Sequence, residues 1–175
     1  MDEKIDLGTV AKTEEMENRL AKMEKLKSDG IDPFGHRFQR SHQSSQIMEN
    51  FDAIENKEVT IAGRLMTVRG HGKACFANLL DLSGEIQIYA KIDILGEESY
   101  QRFSELDLGD IIGVTGTVFK TRRGQITVQV HKWELLCKAL RPLPEKWHGL
   151  KDVDTRYRQR YLDLIVNQEV RETFI

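Results

Sequence analysis

Apolar residues recur along the chain with two different periods. Over residues 13–28 they are spaced as on one face of a helix, at Met16, Leu20, Met23 and Leu26. Thr13 suits the N-cap of this predicted helix, and Gly30 follows its end. A second short helix is predicted over residues 44–54. From Glu58 onward apolar and polar residues alternate, which is typical of β-strands.

The alternating part of the chain is divided by turns and by one helix. The predicted strands cover residues 58–69, 73–82, 85–91, 111–120 and 125–136. A helix is predicted over residues 97–106, and Gly113 and Gly116 are candidate bend points. This order of three strands, a helix and two strands indicates a five-stranded Greek-key barrel of the OB type. The predicted fold class is therefore mainly β (α+β), with N-terminal helices and a C-terminal linker helix. An open five-stranded sheet packed on a helix is the alternative.

Two prolines separate the barrel from the end of the chain. Pro142 and Pro144 cannot continue a central strand, so they mark a boundary. The predicted organisation is an N-terminal helical extension, a barrel and a linker segment, at residues 1–57, 58–138 and 139–175. The linker segment is predicted to contain a helix over residues 151–167, with Asp154 as its N-cap.

Composition and charge argue against several classes of protein. The chain has 175 residues, 39% hydrophobic and 31% charged, with a formal net charge of -2. Bulk charge therefore gives no sign of a nucleic-acid partner, and any basic surface must be local. Cys75 and Cys137 lie far apart without metal-binding spacing, so neither a disulfide framework nor a zinc site is predicted. No apolar run reaches membrane-spanning length and no signal-peptide pattern is present, which favours a cytoplasmic protein with no membrane partner.

The second and third strands present an aromatic ring on the side predicted to face solvent. The predicted core-facing residues of these strands are small or aliphatic: Cys75, Ala77, Leu79, Ile86, Ile88 and Ala90. Because side chains alternate sides along a strand, Phe76 then points outward, on the same side as Gln87. A register slip or bulge that buries Phe76 and exposes Cys75 is the alternative.

An outward ring on this part of an OB barrel can stack an unpaired base. Arg69 and Gln87 flank Phe76 on the neighbouring strands. An arginine supplies hydrogen-bond donors, and a glutamine amide supplies both a donor and an acceptor, so the pair can bind the edge of that base. The three residues together predict a site for one unstacked base of a single-stranded loop.

The turn between the last two strands is basic. Lys120, Arg122 and Arg123 lie there, beside Gln125. In OB modules this loop contributes to the oligonucleotide site, although a charged hairpin tip that prevents edge pairing is equally common. The chain shows no phosphate-binding glycine loop, nucleophile–histidine pair or carboxylate pair in a recognisable context, so no catalytic or metal-binding residue is predicted.

Three stretches of the chain resemble one known family. Residues 138–167, KALRPLPEKWHGLKDVDTRYRQRYLDLIVN, are similar to the linker and first part of the catalytic domain in class II lysyl-tRNA synthetases. GRLMTVRGHGKACFANLLDLSGEIQIY and DLGDIIGVTGTVFKTRRGQ resemble the OB-fold anticodon-binding domain of that family. The sister aspartyl and asparaginyl enzymes share the barrel but look different after it.

The resemblance implies a role for each matching residue. Phe76 would stack on the middle anticodon base, a uridine, while Arg69 and Gln87 recognise the edge of that base. Gln125 stands where the family often has a glutamate near the first anticodon base, so recognition there keeps a hydrogen-bonding group but loses a charge. Phosphate contacts are expected from the first helix and from the basic turn, through Arg19, Lys22, Lys25, Lys120, Arg122 and Arg123.

The resemblance also implies a partner and a parent enzyme. The expected partner is the anticodon stem-loop of tRNA(Lys). The whole enzyme of the family is a homodimer that activates lysine with ATP and magnesium and transfers it to tRNA. This chain resembles an amino-terminal fragment, expected to be monomeric and inactive alone and to hold no cofactor. The alternatives are a general single-strand-binding OB module, the corresponding part of an aspartyl or asparaginyl enzyme, and a protein-interaction barrel.

Overall fold

The computed structural model describes residues 13–70, 72–144 and 152–174, and the chain divides into two compact units, Met1–Arg141 and Pro142–Ile175. Within its described residues the first unit contains five strands: β1 Glu58–Arg69, β2 Ala74–Leu80, β3 Glu85–Lys91, β4 Ile111–Lys120 and β5 Ile126–Cys137.

The five strands close into a barrel in the order β1-β2-β3-β5-β4. Neighbouring strands are antiparallel except β3 and β5, which run parallel. The long strand β1 pairs with β4 through its first half and with β2 through its second half. This topology confirms the predicted mainly β, OB-type Greek-key fold and excludes the open sheet.

Strand β1 contains a β-bulge in its second half. Leu65 pairs with Leu79 and Thr67 pairs with the adjacent residue Asn78, so Met66 is an extra residue of β1 without a partner position on β2. Leu65 and Met66 are both buried. A bulge bends its strand and increases the twist, which helps a small sheet to close.

Close packing of β4 against β5 requires a glycine at position 116. A Cβ atom built on Gly116 would lie 2.0 Å from the backbone oxygen of Gln129. The β4–β5 register also shifts between Thr115 and Gly116. Gly116 therefore marks an irregular point of β4, where the sequence predicts a bend.

The barrel interior is filled by the residues that the alternation predicts. Cys75, Ala77 and Leu79 of β2 are buried, whereas Phe76 is only half-buried on the opposite side of the strand. The outward orientation of Phe76 is therefore confirmed, and the alternative that buries it is excluded. The buried set of β3 also matches the prediction, at Ile86, Ile88 and Ala90.

Helix α1 (Glu14–Ser28) begins as the sequence predicts. Its N-cap is Thr13, whose hydroxyl oxygen accepts a hydrogen bond from the backbone N–H of Met16 at 3.3 Å. The predicted helix over residues 44–54 is split at Asn50 into two short helices. The other described helices of this unit are α2 Ser44–Glu49, α3 Phe51–Ile54, α4 Ile92–Leu95 and α5 Glu97–Ser104.

The described residues of the second unit form three short helices, α6 Val153–Arg158, α7 Arg160–Val166 and α8 Gln168–Phe174. The single helix predicted over residues 151–167 is interrupted at Gln159. The predicted cap was wrong: Asp152, not Asp154, accepts the hydrogen bond from the backbone N–H of Thr155, at 2.8 Å.

A buried carboxylate holds α6 and α7 together. Asp163 is fully buried and accepts hydrogen bonds from Arg156 at 3.0 Å and Asn167 at 2.6 Å. Burial by itself raises the pKa of Asp163, but these hydrogen bonds and the arginine charges outweigh it and hold the pKa below the usual Asp range. The ionised form of Asp163 thus stabilises this unit.

No helix in the described ranges is long and apolar enough to cross a membrane. Among the same residues no group of three His, Cys, Asp or Glu side chains is arranged to hold a metal ion. Cys75 and Cys137 are free thiols. Burial raises the pKa of the Cys75 thiol, which keeps that group protonated and unreactive at neutral pH.

Candidate nucleic-acid interface

The outer face of β2 and β3 carries a pair of stacked aromatic rings. Phe76 and Tyr89 are directly opposite each other in the β2–β3 register. Their ring centroids lie 4.7 Å apart with the planes inclined by 32°. Phe119 of β4 approaches Tyr89 edge-on, with 6.2 Å between the centroids. The aromatic surface is therefore larger than the single ring that the sequence singles out.

Arg69 and Gln87 lie on the same outer face as Phe76. Arg69 pairs with Phe76 across the β1–β2 ladder. Gln87 lies opposite Asn78, in the next pair of β2 and β3 that faces outward. The Nη2 atom of Arg69 donates to Gln87 Oε1 and to Asn78 Oδ1, both at 3.4 Å. The structure thus brings together the three residues that the sequence predicts to read one base.

Polar neighbours extend this group to both sides. Asn78 Nδ2 donates to the exposed carboxylate of Glu85. Gln87 Nε2 donates to Thr127 Oγ1 of β5 at 2.8 Å. Asn78, Glu85 and Thr127 were not predicted from the sequence as parts of the site. Asn78 and Glu85 share the outward set of their strands, so the alternation could have identified them.

The β4–β5 hairpin presents Arg122, Arg123 and Gln125 to solvent. Its turn is closed by two bonds between Thr121 and Gln125: the Thr121 N–H donates to the Gln125 carbonyl at 2.9 Å, and the Gln125 N–H donates to Thr121 Oγ1 at 3.0 Å. Lys120 stacks its ammonium group over the Phe51 ring of α3, 4.3 Å from the centroid. Gln125 leaves its side chain exposed at the hairpin tip.

The basic residues of α1 are engaged with the barrel unit to different degrees. Arg19 is only 4% exposed, and its Nη1 donates to the carbonyl oxygens of Leu108 at 3.0 Å and Ala139 at 3.1 Å. This burial contradicts the expectation of a phosphate contact from Arg19: the guanidinium is used to attach α1. Sequence periodicity could not reveal this, because both carbonyls are distant in the chain.

Lys22 and Lys25 face acidic residues that follow α5. Lys22 Nζ contacts Asp107 Oδ1 at 2.6 Å and also donates to the carbonyl of Glu105 at 2.9 Å. Lys25 is exposed, with its Nζ 3.9 Å from the Glu105 carboxylate. Of the three α1 cations predicted to contact phosphate, Lys25 thus makes the weakest contacts within the protein.

A buried ion cluster fixes the loop that receives α1. Lys138 Nζ contacts Asp107 Oδ2 at 2.5 Å and both carboxylate oxygens of Asp110 at 2.9 Å. Lys138 and Asp110 are almost completely buried. Burial raises the pKa of Asp107, but the hydrogen bonds and charges of Lys138 and Lys22 outweigh it and hold the pKa below the usual Asp range.

The barrel matches a known family of domains. Residues 59–136 match the model of the tRNA anticodon type of OB-fold nucleic acid binding domain. The chain is also 59% identical over 157 residues to the lysine–tRNA ligase of Carboxydothermus hydrogenoformans, covering 90% of this chain and 32% of the relative. With the lysine–tRNA ligase of Moorella thermoacetica the identity is 54% over 165 residues, covering 94% of this chain and 34% of the relative.

The chain contains an anticodon-binding OB domain that matches the N-terminal region of lysine–tRNA ligases. A third relative, the lysine–tRNA ligase of Clostridium botulinum, is 53% identical over 161 residues. The chain spans about a third of the length of these relatives, since it covers 32% to 34% of each. This confirms the family resemblance read from the sequence.

Within the anticodon-binding OB domain, the predicted site residues fall into two places. Arg69, Phe76 and Gln87 meet on the outer face of β1, β2 and β3. Gln125 lies at the β4–β5 hairpin, and its carbonyl accepts a hydrogen bond from Thr127 Oγ1 at 3.2 Å. Because the Thr127 hydroxyl also accepts a hydrogen bond from Gln87 Nε2, it connects the Gln87 side chain to the backbone of Gln125.

Proposed function

We propose that this chain binds the anticodon stem-loop of tRNA(Lys) as the N-terminal part of a lysine–tRNA ligase. The observation that carries the proposal is the outward, half-buried ring of Phe76 beside the bonded pair of Arg69 and Gln87. An aromatic ring on this face of an OB domain offers a stacking surface, and the polar pair offers hydrogen bonds to the edge of the stacked base.

Stacking supplies affinity and the polar pair supplies the choice of base. A stacked base contributes about 1 to 3 kcal/mol whatever its identity, because every base has a π-face. Arg69 can only donate hydrogen bonds, whereas the Gln87 amide both donates and accepts. We propose that Phe76 stacks on the middle anticodon base and that Arg69 and Gln87 select a uridine there.

The hairpin and the exposed cations supply contacts around that base. Gln125 is proposed to hydrogen-bond the first anticodon base, and Arg122 and Arg123 are proposed to contact phosphates. Lys120 and Lys25 are further candidates for phosphate contacts, although Lys120 already stacks on Phe51. These contacts are local, which fits a chain whose net charge is -2.

The remaining two thirds of the ligase are proposed to carry the chemistry. There, lysine would be activated with ATP and Mg²⁺ and attached to tRNA by a homodimer in the cytoplasm. The present chain is proposed to bind RNA as a monomer without catalysis and without ATP or Mg²⁺.

Binding to anticodon stem-loops that differ only at the middle base tests the proposal. We expect the uridine stem-loop to bind more tightly than the other three, and all four affinities to fall as salt rises, because binding phosphates releases counterions. Equal affinity for the four loops would favour a general single-strand-binding module. Tighter binding of a loop with another middle base would favour a sister synthetase, and no salt-dependent binding would favour a protein-interaction barrel.

A further inference from the structure

We infer that Thr127 is a positioning residue that determines which way Gln87 presents its amide, and thereby whether the site accepts uracil or cytosine. The inference rests on the proposed function, because it concerns the middle-base site. It adds a residue that never touches the base and assigns that residue control over the hydrogen-bonding pattern offered to it.

Thr127 is placed so that only its neighbours in the site can use its hydroxyl. It is fully buried on β5, and it pairs with Gln87 in the parallel β3–β5 ladder. Its Oγ1 lies 2.8 Å from Gln87 Nε2 and 3.2 Å from the carbonyl oxygen of Gln125. A fully buried hydroxyl has to find its partners inside the protein, so these two bonds define its state.

The direction of the hydrogen bonds follows from what each group can do. Thr127 Oγ1 donates to the carbonyl oxygen of Gln125, which can only accept, so the single hydroxyl proton is used in that bond. The hydroxyl oxygen must then accept from Gln87, and only the NH₂ end of an amide can donate to it. The Gln87 carbonyl oxygen is therefore directed away from β5.

The other end of the amide confirms the same direction. Gln87 Oε1 lies 3.4 Å from Nη2 of Arg69, and a guanidinium can only donate. With the amide reversed, an NH₂ group would face the arginine donors, and the Thr127 hydroxyl could donate to Gln87 Oε1 only by giving up its bond to the Gln125 carbonyl. Both ends of Gln87 thus require the same orientation.

This fixed orientation places an acceptor, Gln87 Oε1, next to a donor, Arg69. The edge of uracil offers an N3–H donor flanked by carbonyl acceptors, so it complements that pattern. Cytosine has an unprotonated N3, so two hydrogen-bond acceptors would face each other where uracil offers its N3–H to Gln87 Oε1. An amide that was free to reverse would offer N–H to the cytosine N3, and the discrimination would weaken.

Thr127→Val tests the inference because valine keeps the shape and removes the hydroxyl. We expect the ratio of the affinity for the uridine stem-loop to the affinity for the cytidine stem-loop to fall by about tenfold. Thr127→Ser, which restores a hydroxyl, should recover the wild-type ratio. The matched control is Thr115→Val on β4, whose hydroxyl bonds Thr60 at 3.3 Å, and its ratio should stay unchanged.

A wild-type ratio in Thr127→Val would overturn the inference, while preferential binding of the uridine loop by the wild-type chain would leave the proposed function intact. Failure of the wild-type chain to prefer that loop would instead refute the proposed function. If Thr127→Val does not fold, the side-chain amide protons of Gln87 in the wild-type chain decide the matter by NMR. Close contacts of these protons with the Thr127 side chain support the inference, and contacts with Arg69 in their place contradict it.

Discussion

The ring of Phe76 lies 4.7 Å from the ring of Tyr89, on the outer side of the barrel and directly across the β2–β3 ladder. This neighbour holds one face of Phe76 and leaves the ring half-buried. A supported ring loses little freedom when a base stacks on it, so the pair is suited to bind a base.

Removing the Phe76 ring should weaken RNA binding without affecting the barrel interior. We expect Phe76→Ala to cost about 1 to 3 kcal/mol of binding free energy for the uridine stem-loop, measured by titration calorimetry. Phe34→Ala is the matched control, because Phe34 is an aromatic residue that is 45% exposed outside the strands. Unchanged affinity in Phe76→Ala would disprove the stacking role.

Arg69→Lys should reduce selectivity while it keeps the charge. Lysine lacks the planar guanidinium, whose Nη2 donates to both Gln87 and Asn78, so its contacts are less directed. We expect the uridine loop to lose about 1 to 2 kcal/mol and the other loops to change less, with a nearly unchanged salt dependence. An equal loss for all four loops would assign Arg69 to phosphate binding.

The hairpin arginines should control the salt dependence of binding. For Arg122→Ala combined with Arg123→Ala, we expect the negative slope of log affinity against log salt to become shallower, by about 0.7 for each phosphate that the variant no longer neutralises. The control is Arg102→Ala, whose guanidinium is already paired with Glu98 at 2.9 Å. A double variant with the wild-type slope would show that these arginines serve only as a charged hairpin tip.

Arg19→Ala should lower stability and leave the salt dependence of RNA binding unchanged. It removes two hydrogen bonds from a buried guanidinium to the carbonyls of Leu108 and Ala139. We expect a loss of about 1 to 3 kcal/mol in the free energy of unfolding, measured by urea denaturation. Lys27→Ala, on an exposed position of the same helix, should change the stability much less. If Arg19→Ala instead weakened the salt dependence of RNA binding and left the stability unchanged, Arg19 would be a phosphate contact and not a structural residue.

Acid should destabilise the chain partly through Asp107. Its pKa is lowered in the folded state, so its contribution is present above the ordinary Asp pKa of about 3.9 and is lost as the pH falls through the lower folded value. We expect Asp107→Asn to be less stable than the wild type at pH 7 and to lose less stability between pH 5 and pH 2. Asp52→Asn, at an exposed position, serves as the control. Parallel stability curves for Asp107→Asn and the wild type would contradict this role.

Local patterns predicted the barrel well because each strand buries one face. The alternation alone identified Cys75, Ala77 and Leu79 as interior residues and Phe76 as exterior. The same local rules failed at Asn50 and Gln159, where a helical stretch is interrupted without a proline or glycine. Arg19 and Thr127 were beyond reach for another reason: their partners are set by tertiary packing, which no periodicity records.

The bulge at Met66 decides on which side of the barrel Arg69 is found. Val59, Ile61, Gly63 and Leu65 are buried at odd-numbered positions, so uninterrupted counting would send position 69 into the interior. The one extra residue reverses which positions face inward beyond the bulge, so the Arg69 guanidinium lies on the outer face beside Phe76. The recognition surface therefore depends on the number of residues in β1 as much as on the identity of its side chains.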